Sequence, residues 1–454
     1  MKFIAEPDFS EILISIREMI EKRNQGALLN LLIDLHPADI ADLLSDLKKD
    51  ERKYLFQLLP AEKASAILTE LDSPIVDQLI KDVSKKRLSA LVDKMDSDDA
   101  ADIISDLPDE IAKSVLEQIP DQISEDVKDL LRYDEDTAGG IMALEFVSVK
   151  TKSTVNQTIK AVRKIRKKVK TVHTVWVTDD DEKLVGSVSL TDLVLAKGKS
   201  LISKIVNKDI KYVYTDMDQE EVAIFFRKYD LVTLPVLNSS HQLVGQITID
   251  DIIDVVDEEA SEDMSLFAGA NDEEMQEDSF LKISWIRLPW LMVAFVGQLI
   301  AAFIIQQFKG TLVEIIALTF FMPVIMAMGG NSGIQSSIIV IRGLATGDIS
   351  VESTWRRFFR EFRVSLFIGI IFGGLMVLVV GLWLGNYMMG LIIGLALNVV
   401  ILQAALFGGL IPFLLKRADI DPALASGPFI TTFNDILGLL IYLVIITASI
   451  PYYL

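Results

Sequence analysis

Five apolar runs fill most of the chain after residue 282, at Ile283–Phe308, Leu312–Ile341, Val364–Leu384, Met388–Leu415 and Gly427–Ile450. Each reaches the roughly 20 residues that cross a hydrocarbon core as a helix. Within lipid every backbone amide must be bonded inside its own segment, so these runs are restricted to helices. Basic residues orient them. Arg342, Arg356, Arg357, Arg360 and Arg363 lie between runs two and three, and Lys416 and Arg417 between runs four and five, while the loops after runs one and three are nearly uncharged. Positive loops stay inside, which predicts a cytoplasmic N-terminal half and an external C-terminus.

Charge divides the chain at the same place. Of 64 acidic and 44 basic residues, 7 and 10 fall from Leu281 onward, leaving 57 and 34 before it. The preceding half is therefore strongly acidic, which disfavours nucleic acid and favours cations. With no cysteine, thiolate metal sites, disulfides and thiol nucleophiles are excluded. Residues 1–10 show no basic region followed by an apolar core, so no cleavable signal is expected.

Residues 1–130 read as an all-α superhelical array. Apolar positions recur at helical spacing from Phe9 to Leu131. Leu35–Leu47 matches Met95–Leu107 at an offset of 60, and Leu59–Leu71 is a weaker copy at 24. Asp96, Asp98, Asp99 and Asp102 crowd the start of one helix. Any single one of these acids reads as a helix cap or dipole partner. Together they repel, which a divalent ion or a basic partner would relieve.

Residues 131–258 contain a second repeat. Val177–Leu193 aligns with Val236–Ile252 at an offset of 59, and each copy reads as strand, turn, strand and a helix begun by an acid, with a helix upstream. This β-α-β-β-α pattern resembles a CBS-domain pair, an α/β fold, with copies at 131–200 and 201–258. In that family a Gly-x-[Ser/Thr]-x-x-Asp element commonly holds the ribose of an adenosine nucleotide such as ATP. Gly186, Ser189 and Asp192, then Gly245, Thr248 and Asp251, fit it. A structural turn and helix cap explains the same residues.

The second copy runs into an acidic connecting helix, expected over 251–280. Asp218, Glu220 and Asp230 precede it. Asp251, Asp254, Glu258 and Glu262 share one face of it, with Glu259 and Asp263 beside them. A solvated linker is one reading; a carboxylate face for hard divalent cations is the other, since oxygen donors suit Mg²⁺ and Ca²⁺.

In the membrane part, 281–454, an α-helical five-span domain, Asp435 sits inside run five with no basic residue nearby in sequence. An Asp at the centre of a spanning helix costs roughly 2.5–3.5 kcal/mol on insertion scales, and such residues commonly face an ion pathway. Run two carries Pro323 and Gly329-Gly-Asn-Ser-Gly-Ile-Gln335, expected to break or closely pack that helix and to offer Gly329, Gly330 and Asn331 to an ion. Asp421-Pro-Ala-Leu-Ala-Ser-Gly-Pro leads into run five, where Asn434 adjoins Asp435. Five spans disfavour an inverted repeat within one chain, so a pore is expected on a homodimer axis.

The order of acidic helical array, CBS pair, acidic connecting helix and five spans, with these two motifs, resembles the MgtE family of magnesium transporters over essentially the whole chain. The resemblance implies a homodimeric, Mg²⁺-selective channel in the plasma membrane, in contact with lipid and gated by cytosolic Mg²⁺. It implies that Asp435 holds a largely hydrated ion on the axis. It matches Asp230, Asp251, Asp254, Glu259, Glu262 and Asp263 to cytosolic sensing positions, with Asp218 and Glu220 as further matches. It does not choose among Asp96, Asp98, Asp99 and Asp102. Asp421 and Glu258 join the candidates from their acidic settings. High Mg²⁺ is then expected to draw the acidic surfaces together and to close the pore entrance. The alternative is a nucleotide-regulated transporter of another divalent cation or solute. Only His36, His173 and His241 are present, none beside another catalytic candidate, so an enzyme is not expected.

Overall fold

The structure is a computed structural model that describes residues 9–71, 73–81, 83–166, 171–268, 279–346, 349, 354–418, 420–422 and 427–453. It forms two compact units, Met1–Val255 and Val256–Leu454.

The first unit opens with ten helices, α1 (Phe9–Glu21) to α10 (Asp121–Leu130), among the described residues. The repeat explains their packing. In α3 (Pro37–Ser45) the buried residues are Ile40, Ala41, Leu43 and Leu44, and in α8 (Ser97–Ser105) their counterparts Ala100, Ala101, Ile103 and Ile104 are buried. The same four-residue face recurs in α5 (Ala61–Leu68) as Ala64, Ser65, Ile67 and Leu68, and in α7 (Lys85–Val92) as Leu88, Ser89, Leu91 and Val92. The working period is thus 24 residues, and α3, α5, α7 and α9 (Asp109–Leu116) stack in sequence. Each helix of this size cannot bury its apolar face alone, so the array shares one core.

The CBS-like pair follows. Strands β1 (Ser148–Lys150), β2 (Thr174–Thr178) and β3 (Leu184–Ser189) form one sheet, parallel then antiparallel, with α11 (Val155–Ile165) crossing between β1 and β2. Strands β4 (Val213–Tyr214), β5 (Thr233–Leu237) and β6 (Leu243–Thr248) repeat this with α13 (Gln219–Tyr229). Residues 59 apart meet across the join: Thr233 Oγ1 donates to Thr174 Oγ1 at 3.0 Å, and Lys183 pairs with Gln242. Contacts between equivalent positions are the mark of a local twofold. Trp176 Nε1 donates to Gln246 Oε1 at 3.0 Å in the buried seam. The short helix α12 (Leu190–Leu195) closes the first copy and the long helix α14 (Ile249–Ala268) the second. The expected connecting helix is seen to residue 268; positions 269–278 lie outside the described residues.

The second unit contains five helices long and apolar enough to cross a membrane. They are α15 (Phe280–Gln307), α17 (Met322–Ala345), α18 (Thr354–Leu384), α19 (Tyr387–Arg417) and α20 (Pro428–Tyr453). Run two breaks before Pro323 and not at it. A short α16 (Lys309–Glu314) and a 3₁₀ stretch (Ile316–Phe321) precede α17, and the break is at Ile315, with φ −132° and ψ 79°. Pro323 does not interrupt α17 but occupies its first turn, where a missing N–H costs no hydrogen bond. Helix α19 is the most buried of the five, and it packs on α17, α18 and α20. The buried residues of α15 are Gly297 and Ala301, and the helix docks on α20.

Candidate functional site

Asp435 lies half-buried on α20. Its two oxygens face different neighbours. Oδ2 accepts a hydrogen bond from Gln298 Nε2 of α15 at 2.9 Å. Oδ1 faces α17, where a Cβ built on Gly330 would stand 3.6 Å from it and from Thr431 Cγ2. Glycine at 330 thus keeps the space beside the carboxylate open. Asn331 and Gln335, one turn apart on α17, are exposed, an amide pair on the surface of a spanning helix.

Asn434 is placed otherwise than expected. It is 1% exposed and faces into the bundle. Its Oδ1 accepts from Gln403 Nε2 at 3.2 Å, and a Cβ on Gly333 would collide with its Nδ2. Consecutive helical residues point about 100° apart, and the side chain of Asn434 meets Gln403 while that of Asp435 meets Gln298. Gly329 meets Val400 in the same packed region. The glycine motif of run two therefore gives close helix approach at 329 and 333 and open space at 330, on an unbroken helix. Asp421 is exposed between α19 and α20; residues 423–426 of its motif lie outside the described residues.

A second polar centre lies where α17, α18 and α19 meet. Glu361 is 8% exposed, accepts from Ser336 Oγ at 2.9 Å and lies 3.9 Å from Arg357 Nε.

In the first unit the acids of α8 meet the CBS-like pair. Ser97 Oγ donates to Glu145 Oε2 at 2.7 Å and accepts from Leu144 N at 2.9 Å. This seats Asp98, 8% exposed, with Oδ1 finding no hydrogen-bond partner among the described residues. Burial pushes its carboxyl well above the usual range, and repulsion from Asp99, Asp251 and Glu145 adds to that. Asp251 is pushed up to about 6, chiefly by burial, with Asp250 and Asp254 adding and the Thr248 hydrogen bonds opposing. Asp96 holds the N-cap position of α8 but makes no side-chain capping bond, against the capping expected of it. Asp102 lies on the exposed side of α8. Among the described residues no three acids or histidines converge tightly enough to cage a metal ion.

The other sensing candidates are dispersed. Asp218 caps α13, accepting from Glu220 N at 2.9 Å, with Glu220 in its first turn. Asp230 ends that helix in the left-handed region, φ 50°. On α14, Asp254, Glu258 and Glu262 are exposed and Glu259 and Asp263 half-buried. The two nucleotide-like elements act as caps. Ser189 Oγ donates to Asp192 Oδ2 at 2.7 Å and accepts from Asp192 N. Thr248 donates twice to Asp251 Oδ2, from N at 3.1 Å and Oγ1 at 2.7 Å. Gly186 and Gly245 sit on β3 and β6 against Asn207 and Met142.

Sequence reasoning missed Glu145, Glu361 and Gln298. Gln298 had a signal: it is the one polar side chain between Leu291 and Ile305.

Comparison with known proteins spans the chain. The divalent cation transporter domain MgtE matches residues 322–445, the MgtE intracellular N domain 35–136, and the CBS domain 138–199 and 202–258. The magnesium transporter MgtE of Thermus thermophilus is 33% identical over 439 residues, 95% of this chain and 97% of that one. That of Bacillus subtilis is 31% identical over 97% and 98%. Among solved structures, the cytosolic domain of the Mg²⁺ channel MgtE in complex with ATP superposes with a TM-score of 0.51 and 32% identity, over 54% of this chain and 99% of that one. The soluble part of a magnesium transporter gives 0.51 and 27%, over 56% and 100%.

Proposed function

We propose, from the premise that this chain belongs to the MgtE family of magnesium transporters and not to an enzyme family, that it is a homodimeric Mg²⁺ channel gated by cytosolic Mg²⁺. The observation that carries this reading is Asp435, a carboxylate inside a spanning helix with one oxygen bonded to Gln298 and the other facing the space over Gly330. Two copies facing across an axis bring two such carboxylates, with Asn331 and Gln335, around one ion. Mg²⁺ gives up water reluctantly. One carboxylate per subunit cannot replace six waters, so Asp435 contacts the water shell, and selection rests on the size and charge of the hydrated ion.

The gate is the acidic half. Asp98, Asp99, Glu145 and Asp251 repel across the seam between α8 and the CBS-like pair. A divalent ion there, and others along Asp218, Glu220, Asp230, Asp254, Glu258, Glu259, Glu262 and Asp263, neutralise that repulsion. Compaction of the cytosolic half, the connecting helix included, then closes the pore entrance. The protein lies in the plasma membrane with residues 1–280 in the cytoplasm and the C-terminus outside, as the basic loops favour. Similarity to a cytosolic domain crystallised with ATP supports nucleotide binding at the CBS-like pair, where Ser189, Asp192, Thr248 and Asp251 would have to exchange their capping bonds for a ribose.

Flux into liposomes containing the purified protein tests both parts. Asp435→Ala should abolish Mg²⁺ uptake, and uptake at the wild-type rate would sink the pore assignment. Internal Mg²⁺ should inhibit the wild type. Joint neutralisation of Asp98, Asp251, Asp254, Glu259 and Glu262 should relieve that inhibition, and its persistence would sink the sensor assignment.

A further inference from the structure

We infer that Gln298 is a positioning residue that sets the ion selectivity of Asp435, an inference that rests on the pore reading above. The geometry assigns the two carboxylate oxygens different tasks. Oδ2 is held by the Gln298 amide at 2.9 Å, and Oδ1 is left facing the gap over Gly330. The approach of α15 that makes this bond possible is built into the backbone. A Cβ on Gly297 would collide with Thr432 Cγ2, so glycine at 297 lets α15 and α20 touch. Thr432 is one turn before Asp435, on the same helix face, and Gln298 directly follows Gly297. The buried residues of α15 are Gly297 and Ala301, with Ile304 and Ile305 packed beside them; Gln298 stands on the exposed side of that contact, where its amide serves Asp435.

The chemistry follows from the strength of the carboxylate. An amide donor draws charge from the carboxylate and fixes its rotamer. Weakened and oriented in this way, the carboxylate binds a cation's water shell without stripping it. Without the donor, Oδ2 keeps its full charge and is free to turn towards the cation itself. Ca²⁺ accepts direct, irregular oxygen ligation, whereas Mg²⁺ demands near-octahedral geometry and keeps its waters. Loss of the Gln298 bond therefore shifts the site towards Ca²⁺.

The experiment compares Gln298→Met, which keeps the length of the side chain without the donor, and Gln298→Ala with the wild type and with Asp435→Ala. Full-length proteins in liposomes without internal Mg²⁺ are assayed for uptake of Mg²⁺ and of Ca²⁺ separately. The Mg²⁺:Ca²⁺ uptake ratio should fall about threefold or more in both Gln298 variants, the scale of one inter-helix hydrogen bond in a membrane (~0.6 kcal/mol). Equal losses of both ions would mean that Gln298 only holds α15 in place and would overturn the inference. An unchanged ratio would overturn it as well. Asp435→Ala separates the levels. If that variant still conducts, the pore reading fails; if it is silent while the Gln298 variants keep wild-type selectivity, only the role of Gln298 fails.

Discussion

Replacing Asp251 by asparagine should make the acidic seam of the first unit more stable at neutral pH, and by a calculable amount. In the folded chain this carboxyl titrates at about 6 instead of 3.8, chiefly because it is buried. The folded state thus holds a proton that the unfolded state releases. The stability associated with that proton is fully present below pH 3.8 and is lost as pH rises through about 6. A shift of about two units corresponds to about 3 kcal/mol. Asparagine keeps an oxygen to accept from Thr248 and carries no charge. The Asp251→Asn variant should therefore recover that amount at pH 7.5 in Mg²⁺-free buffer and gain almost nothing at pH 4. The readout is amide hydrogen exchange of the full-length protein in α8 and the first turns of α14. Protection factors there should rise about a hundredfold at pH 7.5, the equivalent of ~3 kcal/mol. Millimolar Mg²⁺ should protect the wild type in the same peptides and add less to the variant. If the variant is no better protected than the wild type without Mg²⁺, repulsion at Asp251 does not strain the seam and this account is wrong.

Further substitutions probe the packing. Ser97→Ala removes the hydroxyl shared by Glu145 and the Leu144 amide and leaves Glu145 only the backbone amide of residue 97; it should cost about 1–2 kcal/mol, seen as faster exchange in α8. Gly333→Ala places a carbon against Asn434, and should cost about 1–3 kcal/mol; the melting temperature in detergent should fall, whereas Gly310→Ala, in α16 with no atom within 4 Å of the new carbon, should not lower it. Glu361→Ala strands Arg357 in the bundle and should cost about 3–5 kcal/mol, while joint replacement of Arg357 and Glu361 by Met and Leu should recover most of it, as buried pairs elsewhere do.

The outline of both units was legible because it rests on period. The 60- and 59-residue repeats point to equivalent faces, and the apolar runs to spanning helices. What failed has physical causes. The copy at α7 is hidden in sequence because Lys85-Lys-Arg-Leu-Ser-Ala-Leu-Val shares with α3 only the spacing of its buried positions. The break at Ile315 is a backbone event inside an apolar stretch, and hydropathy does not register φ and ψ. Asn434 adjoins Asp435 in sequence, yet its side chain packs on Gln403 while that of Asp435 meets Gln298. Asp435 itself was visible from its cost in a membrane, while Gln298, Glu145 and Glu361 acquire meaning only when another helix is brought beside them.

The energies of the seam bear on why a sensor of this kind needs so many acids. Switching a gate from 1:99 to 99:1 takes about 5.5 kcal/mol of differential binding. Asp251 alone stores about 3 kcal/mol of repulsion and desolvation at neutral pH, and Asp98, with its carboxyl raised well above the usual range by deeper burial, stores energy of the same sign. The two carboxylates act in the same direction, and an ion that neutralises both relieves their mutual repulsion as well. Exposed acids such as Asp254, Glu258 and Glu262 on α14 contribute much less each, because solvent screens them. The gating energy is therefore concentrated in the buried pair and the exposed acids tune its concentration dependence. Neutralising Asp98 and Asp251 together should abolish most of the Mg²⁺ response. Neutralising three exposed acids of α14 should only shift its midpoint, and an equal effect of the two sets on inhibition of liposome flux would refute that division.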